Sequence, residues 1–165
     1  MTLLVPFDGS DLSKVALVRA AQFDGLLAEG VVVVTAIPKG NAAYARERGW
    51  IGETEAFDAE RIGSTLRSMV ADIAPNAEFR YELVDRYAPS GRIARVLRRF
   101  ARDTDTSIAF IGSENAGRIV TGFTVGSVVA TDRNYDTMII NSIRPEPIET
   151  LERAGPSVDS IEPHE

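Results

Sequence analysis

The chain has 165 residues, 44% of them hydrophobic and 25% charged, with a formal net charge of −6. That length fits one domain with a core of its own, and the lack of cysteine excludes disulfide scaffolds, thiolate metal sites and cysteine nucleophiles. The single histidine, His164, is the penultimate residue, which argues against a Ser/His/Asp triad, a multi-histidine metal site or a histidine phosphorelay.

The acidic balance argues against nucleic acid as a main partner, because phosphate contacts need a basic surface. The longest apolar run, Val31 to Ile37 with one threonine inside, is far too short to span a bilayer. Met1-Thr2-Leu3-Leu4-Val5 carries no charged n-region and reaches Pro6 at once, unlike a signal peptide. The expectation is a cytoplasmic protein that is not membrane-embedded.

In chain order, Thr2 to Phe7 reads as a first buried strand, ending at the turn and cap chemistry of Asp8-Gly9-Ser10. From Ser10 to about Ala28, Leu12, Val15, Ala16, Phe23, Leu26 and Leu27 recur at helical spacing, and Gly30 breaks the helix. Val31 to Ile37 is a second strand whose lack of alternation marks it as covered on both faces. The stretch from Pro38 to Glu53 is the least readable, with a short helical turn expected around Ala42 to Arg46. Ile62, Leu66, Met69, Val70 and Ile73 line a second long helix closed by Pro75. Phe79 to Val84 alternates as a third strand nearer a sheet edge.

Pro89-Ser90-Gly91 starts a further helix running to about Asp103. Ser107 to Ile111 is a fourth strand ending at Gly112, a glycine-rich loop leads to a short helix opening at Gly126-Ser127, and Thr137 to Asn141 is the fifth strand. This alternation predicts an α/β fold, a doubly wound parallel sheet with helices on both faces. Residues 1–143 form the domain. Residues 144–165, with Pro145, Pro147, Pro156 and Pro163 among acidic and small residues, read as a disordered tail.

In an open parallel sheet, ligands bind beyond the carboxyl ends of the strands, near the point where strand order reverses. Asp8 follows strand one, Ala36 and Ile37 finish strand two, and Gly112 finishes strand four. Asp8 is either a cap for the first helix or a carboxylate that accepts a hydrogen bond from a sugar hydroxyl or a base amine. The segment from Gly112 to Ser127 holds four glycines between a strand and a helix start. Glycines let backbone N–H groups approach an anion, and the Gly126-Ser127 helix start adds a dipole end and a hydroxyl. No lysine follows these glycines, so this is not a Walker loop.

The chain resembles the universal stress proteins over roughly residues 1–143. The resemblance rests on Val5-Pro6-Phe7-Asp8-Gly9-Ser10 with Ser13 and Ala16, on Ile111-Gly112-Ser113, and on Gly126-Ser127-Val128. It implies a five-stranded parallel sheet of order 3-2-1-4-5, a three-layer α/β/α arrangement, and binding of ATP or another adenine nucleotide, with or without Mg²⁺. It further implies that Asp8 and the strand-two end, Ala36-Ile37, hold the adenosine, while Gly112, the next glycine and Gly126-Ser127 hold the phosphates. Pro6 and Val128 complete the candidate contacts. The family's nucleotide-binding pattern is G-x2-G-x9-G-[S/T], and this loop departs from it. The second glycine position falls on Asn115 and the last on Val125, one residue before Gly126. Either the loop is one residue longer, with Gly117 as second glycine, or Asn115 takes that role. Arg118 offers a compensating charge or is a solvated loop residue.

Arg92, Arg95, Arg98, Arg99 and Arg102 share one arc of the helix after Pro89, opposite Ile93, Val96, Leu97 and Phe100. That arc is a solvated face or docks an acidic partner, the chain's own acidic tail included. Trp50 either lids the pocket or packs under the loop. The function expected is a regulatory module of the stress response that binds adenine nucleotide and is not a dedicated catalyst, since no general base or γ-phosphate lysine is evident. One alternative is a nucleotide-free dimeric interaction module of the same fold; another is a slow ATPase with Asp8 or Glu114 holding Mg²⁺. Met138-Ile139-Ile140 lacks lysine, proline or a bulge signal, so strand five, as an edge, calls for a partner. A homodimer through Thr137–Asn141 is expected, with a transporter or signalling protein as a further partner.

Overall fold

Leu3, Leu4 and Val5 are all fully buried although their side chains alternate between two directions, which requires cover on both faces of the strand. A computed structural model, describing residues 1–112 and 132–161, shows how that cover arises. Strand β1 (Thr2–Pro6) lies between β2 (Val31–Pro38) and β4 (Thr106–Gly112). Outside them run β3 (Glu78–Val84), beside β2, and β5 (Asp136–Ile140), beside β4. All pairings are parallel and the order is 3-2-1-4-5, as the sequence led us to expect. No residue of β2 is exposed, while β3 opens with buried Phe79 between exposed Glu78 and Arg80 and loses that alternation at its end, where Leu83 is exposed and Val84 buried.

Helices α1 (Asp11–Leu27) and α3 (Ala59–Ile73) pack on one face, where Val15, Ala16, Ile62 and Leu66 meet Val5, Phe7, Val33, Ile37 and Phe110. Helix α4 (Ser90–Asp103) covers the other, setting Ile93, Ala94 and Leu97 against Leu4, Val32, Val34, Ala36 and Ile111. The poorly readable stretch after β2 holds a short helix, α2 (Ala42–Glu47), capped by the Asn41 side chain. The chain leaves α1 at Ala28, which itself takes the left-handed conformation, before Gly30 is reached. Leu26 and Leu27, expected on the buried stripe, are exposed in that last turn. The loop after Gly112 and the helix expected at Gly126-Ser127 lie outside the described residues. No helix among the described residues is long and apolar enough to cross a membrane.

The C-terminal segment departs from the expectation of disorder. Glu149–Ala154 forms a helix, α5, and Val158–Ser160 a 3₁₀ turn, and both lie on the α1 side of the sheet, against the first of its two cores, the one that α1 and α3 cover. Leu151 is buried, and Val158 and Ile161 pack on that core. Two polar residues of α1 hold the segment by its backbone. Arg19 donates to the Glu146 carbonyl at 3.0 Å and to Gln22 Oε1 at 3.0 Å, while Gln22 Nε2 donates to the Pro156 carbonyl at 2.8 Å. Both side chains are buried, and burial without these acceptors would carry a desolvation cost of roughly 1–3 kcal/mol per group. The contact is close because of Gly25: a Cβ there would sit 1.9 Å from the Ala154 carbonyl oxygen. Acidic residues and prolines mask this segment in the sequence because its anchors are few, and its glutamates and Asp159 lie along a chain held mainly by carbonyls.

The arginine arc of α4 is neither simply solvated nor covered by the segment at 146–161, which docks on the opposite side of the sheet. Arg92 pairs with Asp85 at 2.6 Å and Arg99 with Glu82. Arg98 Nε and Arg102 Nη2 donate to one oxygen of Asp132, at 3.1 and 2.9 Å. Its other oxygen accepts from the Asn134 backbone N–H, at 3.0 Å, and from the Asn134 amide. The Asp132 side chain is only 1% exposed, so this carboxylate ties α4 to the approach of β5. Burial opposes its charge, but the Asn134 and Arg98 hydrogen bonds and the Arg102 charge prevail and lower its pKa to about 2.

Two outcomes follow. Gly25→Ala should displace α5, lowering stability by about 2 kcal/mol and opening residues 145–161 to protease; urea denaturation and limited proteolysis read these effects. Asp132 binds its proton less readily folded than unfolded, so its contribution is complete above about pH 4 and drains away as pH falls toward 2. Asp132→Asn should flatten that part of the stability–pH curve, measured by denaturation across the acid range.

Candidate functional site

The sheet order reverses at β1: β2 leaves on one side and β4 on the other. The mouth between their carboxyl ends is where an open parallel sheet offers backbone groups to a ligand. Just past β1, the Phe7 N–H donates to the Val34 carbonyl at 2.9 Å, and the buried Thr35 hydroxyl donates to the Phe7 carbonyl at 2.6 Å. Thr35 thus fixes the exit of β1 against β2. Its signal in the sequence was the one hydroxyl in an otherwise aliphatic strand.

Asp8-Gly9-Ser10 then turns the chain into α1. Gly9 takes φ +81°, so the turn needs glycine for its backbone, and a Cβ there would also press on Met69 Sδ at 3.3 Å. Ser10 caps α1: its hydroxyl accepts from the Ser13 N–H at 3.3 Å. Asp8 is half-buried and uses Oδ1 to accept from the Ser10 N–H at 2.9 Å. Its Oδ2 accepts no hydrogen bond from the described residues. Capping chemistry and a free acceptor therefore coexist in this turn, on different residues and different oxygens.

From the other side, the indole of Trp50 is buried and donates to the Asp8 carbonyl at 2.7 Å. Trp50 supports the turn from beneath, as packing under the loop requires, and its ring meets Tyr44 edge-on with centroids 5.6 Å apart. The Arg48 guanidinium lies 3.4 Å over the Tyr44 ring. Burial raises the Tyr44 pKa; Arg48 pulls it down and Asp8 adds to the rise, which places the phenol in the electrostatic field of the site. Tyr44 and Arg48 carried no periodicity or motif that marked them in the sequence.

The expected contacts separate by face. Pro6 and Ala36 follow Leu4 and Val34 in the strand alternation and belong to the α4 side, where Ala36 joins the second core. Ile37 is fully buried in the first core, leaving only its backbone to meet a ligand. Gly112 answers a packing demand: a Cβ there would lie 2.5 Å from the Leu12 carbonyl carbon and 2.8 Å from the Ser13 nitrogen. Its lack of a side chain lets β4 end against the first turn of α1. Asn115, Gly117, Gly126, Ser127 and Val128 lie outside the described residues, as do Glu114 and Arg118. Among the described residues no three of His, Cys, Asp or Glu gather as metal ligands.

What the described mouth offers fits the nucleoside end of a nucleotide: the carboxylate of half-buried Asp8 and strand-end backbone. The family model described as the universal stress protein family matches residues 1–132. No curated protein matches the chain. Among solved structures, a universal stress protein in complex with cAMP is 21% identical, with TM-score 0.56, covering 85% of this chain and 96% of its own. The universal stress protein of Archaeoglobus fulgidus in complex with dAMP is 23% identical, with TM-score 0.53, covering 85% and 97%. The universal stress protein UspA of Lactobacillus plantarum is 16% identical, with TM-score 0.55, covering 85% and 97%. At these identities the likeness is one of fold.

Proposed function

Because the chain belongs to the universal stress protein family, we propose that it is an adenine-nucleotide-binding regulatory module of the stress response, working in the cytoplasm. The observation that carries this reading is Asp8, whose Oδ1 serves the turn while Oδ2 is left to accept from a ribose hydroxyl or a base amine. The nucleotides named with two similar structures, cAMP and dAMP, support the adenine class. Both carry a single phosphate. In this chain the loop after Gly112 runs one residue longer than the family's pattern, so recognition rests on the nucleoside end, and AMP binds about as well as ATP. Binding without turnover is the reading that suits a loop with no lysine after its glycines.

Calorimetric titration of the whole chain with AMP and with ATP, with and without Mg²⁺, tests this. We expect heat and thermal stabilisation from both, affinities within tenfold of each other (about 1.4 kcal/mol), and ATP recovered intact. Asp8→Asn keeps an oxygen for the Ser10 N–H but replaces the free acceptor, and should weaken AMP about tenfold. No heat and no stabilisation at millimolar AMP or ATP would overturn the reading and favour a nucleotide-free interaction module, the alternative that the irregular loop supports.

The same chain presents β5 as a sheet edge, with Ile139 43% exposed. Pairing of β5 with its copy would cover this side chain and satisfy the free backbone row about a twofold axis, and we read the working unit as that homodimer. Such a dimer is also a platform on which a transporter or signalling protein can dock. Sedimentation at micromolar concentration should give twice 17.9 kDa, and Ile139→Glu should return a monomer; a wild-type monomer overturns the dimer.

A further inference from the structure

Strand β3 is the outermost strand on its side, paired with β2 from Glu78 to Val84. Its outward row of backbone N–H and C=O groups is a template for another strand. Over the carboxyl end of this strand, on the α4 side, lies an open groove of about 520 Å³ lined by Lys39, Glu82, Asp85, Arg92, Arg95 and Arg99, among others. Four cations face two carboxylates there. Arg92 and Arg99 are taken by Asp85 and Glu82, but among the described residues the Lys39 and Arg95 side chains have no hydrogen-bond or ion-pair partner. Both are exposed. The groove is thus a cationic exception on a chain of net charge −6, beside exposed Leu83 and Tyr87.

We propose that this groove binds an acidic, extended segment of a partner protein, added as a strand to β3 with its carboxylates against Lys39 and Arg95. The inference goes beyond nucleotide binding and does not depend on it. Shape and charge select the occupant together. A strand rises about 3.3 Å per residue and points alternate side chains to one face. Carboxylates at every second position therefore fall along the cationic wall, while the intervening side chains lie on the opposite face of the added strand and favour an apolar character. A nucleic acid is a poorer fit, because Glu82 and Asp85 stand in the groove and repel a continuous phosphate backbone. The chain's own segment at 146–161 is held on α1, across the sheet.

The test uses the full chain and fluorescent peptides of about ten residues, alternating Glu with Val, or Lys with Val as control, and an RNA oligonucleotide of similar length. Anisotropy should show the Glu peptide binding in a salt-sensitive manner and the Lys peptide not binding. Lys39→Glu with Arg95→Glu should weaken the Glu peptide about tenfold or more with the melting curve unchanged, and hydrogen exchange should show β3 amides gaining protection on binding. Excess AMP should leave the peptide in place. Any of four results overturns the proposal: no binding at millimolar peptide, equal binding to the double variant, unprotected β3 amides, or preference for RNA. Displacement by AMP would do so too, assigning the groove to the nucleotide site.

Discussion

Helix α1 is held between two surfaces that both come closer than a side chain would allow. At its first turn, the end of β4 reaches the Leu12 and Ser13 backbone because position 112 has no Cβ. At its far end, the Ala154 carbonyl sits over Gly25. Between these points Arg19 and Gln22 are sealed under the C-terminal segment and bonded to its carbonyls. A helix fixed at both ends fixes its own start, and the start of α1 is the Asp8-Gly9-Ser10 turn. The position of the Asp8 carboxylate thus follows from packing distant from it, reinforced by the Thr35 and Trp50 bonds to the carbonyls on either side of that turn's entry.

The two faces of the sheet solve the burial problem differently. On the α1 face, cover comes from α1, α3 and the C-terminal segment, and polar side chains there are consumed by carbonyls. On the α4 face, the apolar arc of one helix covers the strands and its arginines stand along the rim. Their carboxylate partners come from two directions: Glu82 and Asp85 from the β3 edge, Asp132 from the approach to β5. The exposed pairs contribute little to stability. Asp132, nearly sealed and bonded from four donors, is of another kind, because removing its partners would leave a buried charge uncompensated.

The strands, the long helices and the turn after β1 were legible because each is imposed by a layer. A strand covered on both faces must be almost wholly apolar, as Val31 to Ile37 is but for Thr35, and Phe79 to Val84 alternates in sequence as an edge strand can, although its last two residues reverse the burial. The resemblance to the universal stress proteins added the strand order, which alternation of strands and helices alone leaves open. Side-chain roles were less legible. Ile37 stands at a strand end where ligands bind, yet parity along β2 turns it into the core. Gly112 reads as a phosphate glycine and proves to be required by α1 whatever the ligand.

The C-terminal segment was illegible for a physical reason. Periodicity records burial of a continuous apolar stripe, and this segment has none. It is retained by Leu151 of the short helix and by Val158 and Ile161 of the 3₁₀ turn and its exit, which belong to separate elements and share no continuous stripe, and by backbone carbonyls that every sequence possesses. Its specificity resides instead in α1, in an arginine and a glutamine on what passes for a solvent face and a glycine at Gly25 inside a helix, where glycine costs about 1 kcal/mol relative to alanine. The Ala154 carbonyl lies where a Cβ at position 25 would sit, so the glycine that weakens the helix is what admits a second layer over α1, and composition alone could not register a partner supplied by another element.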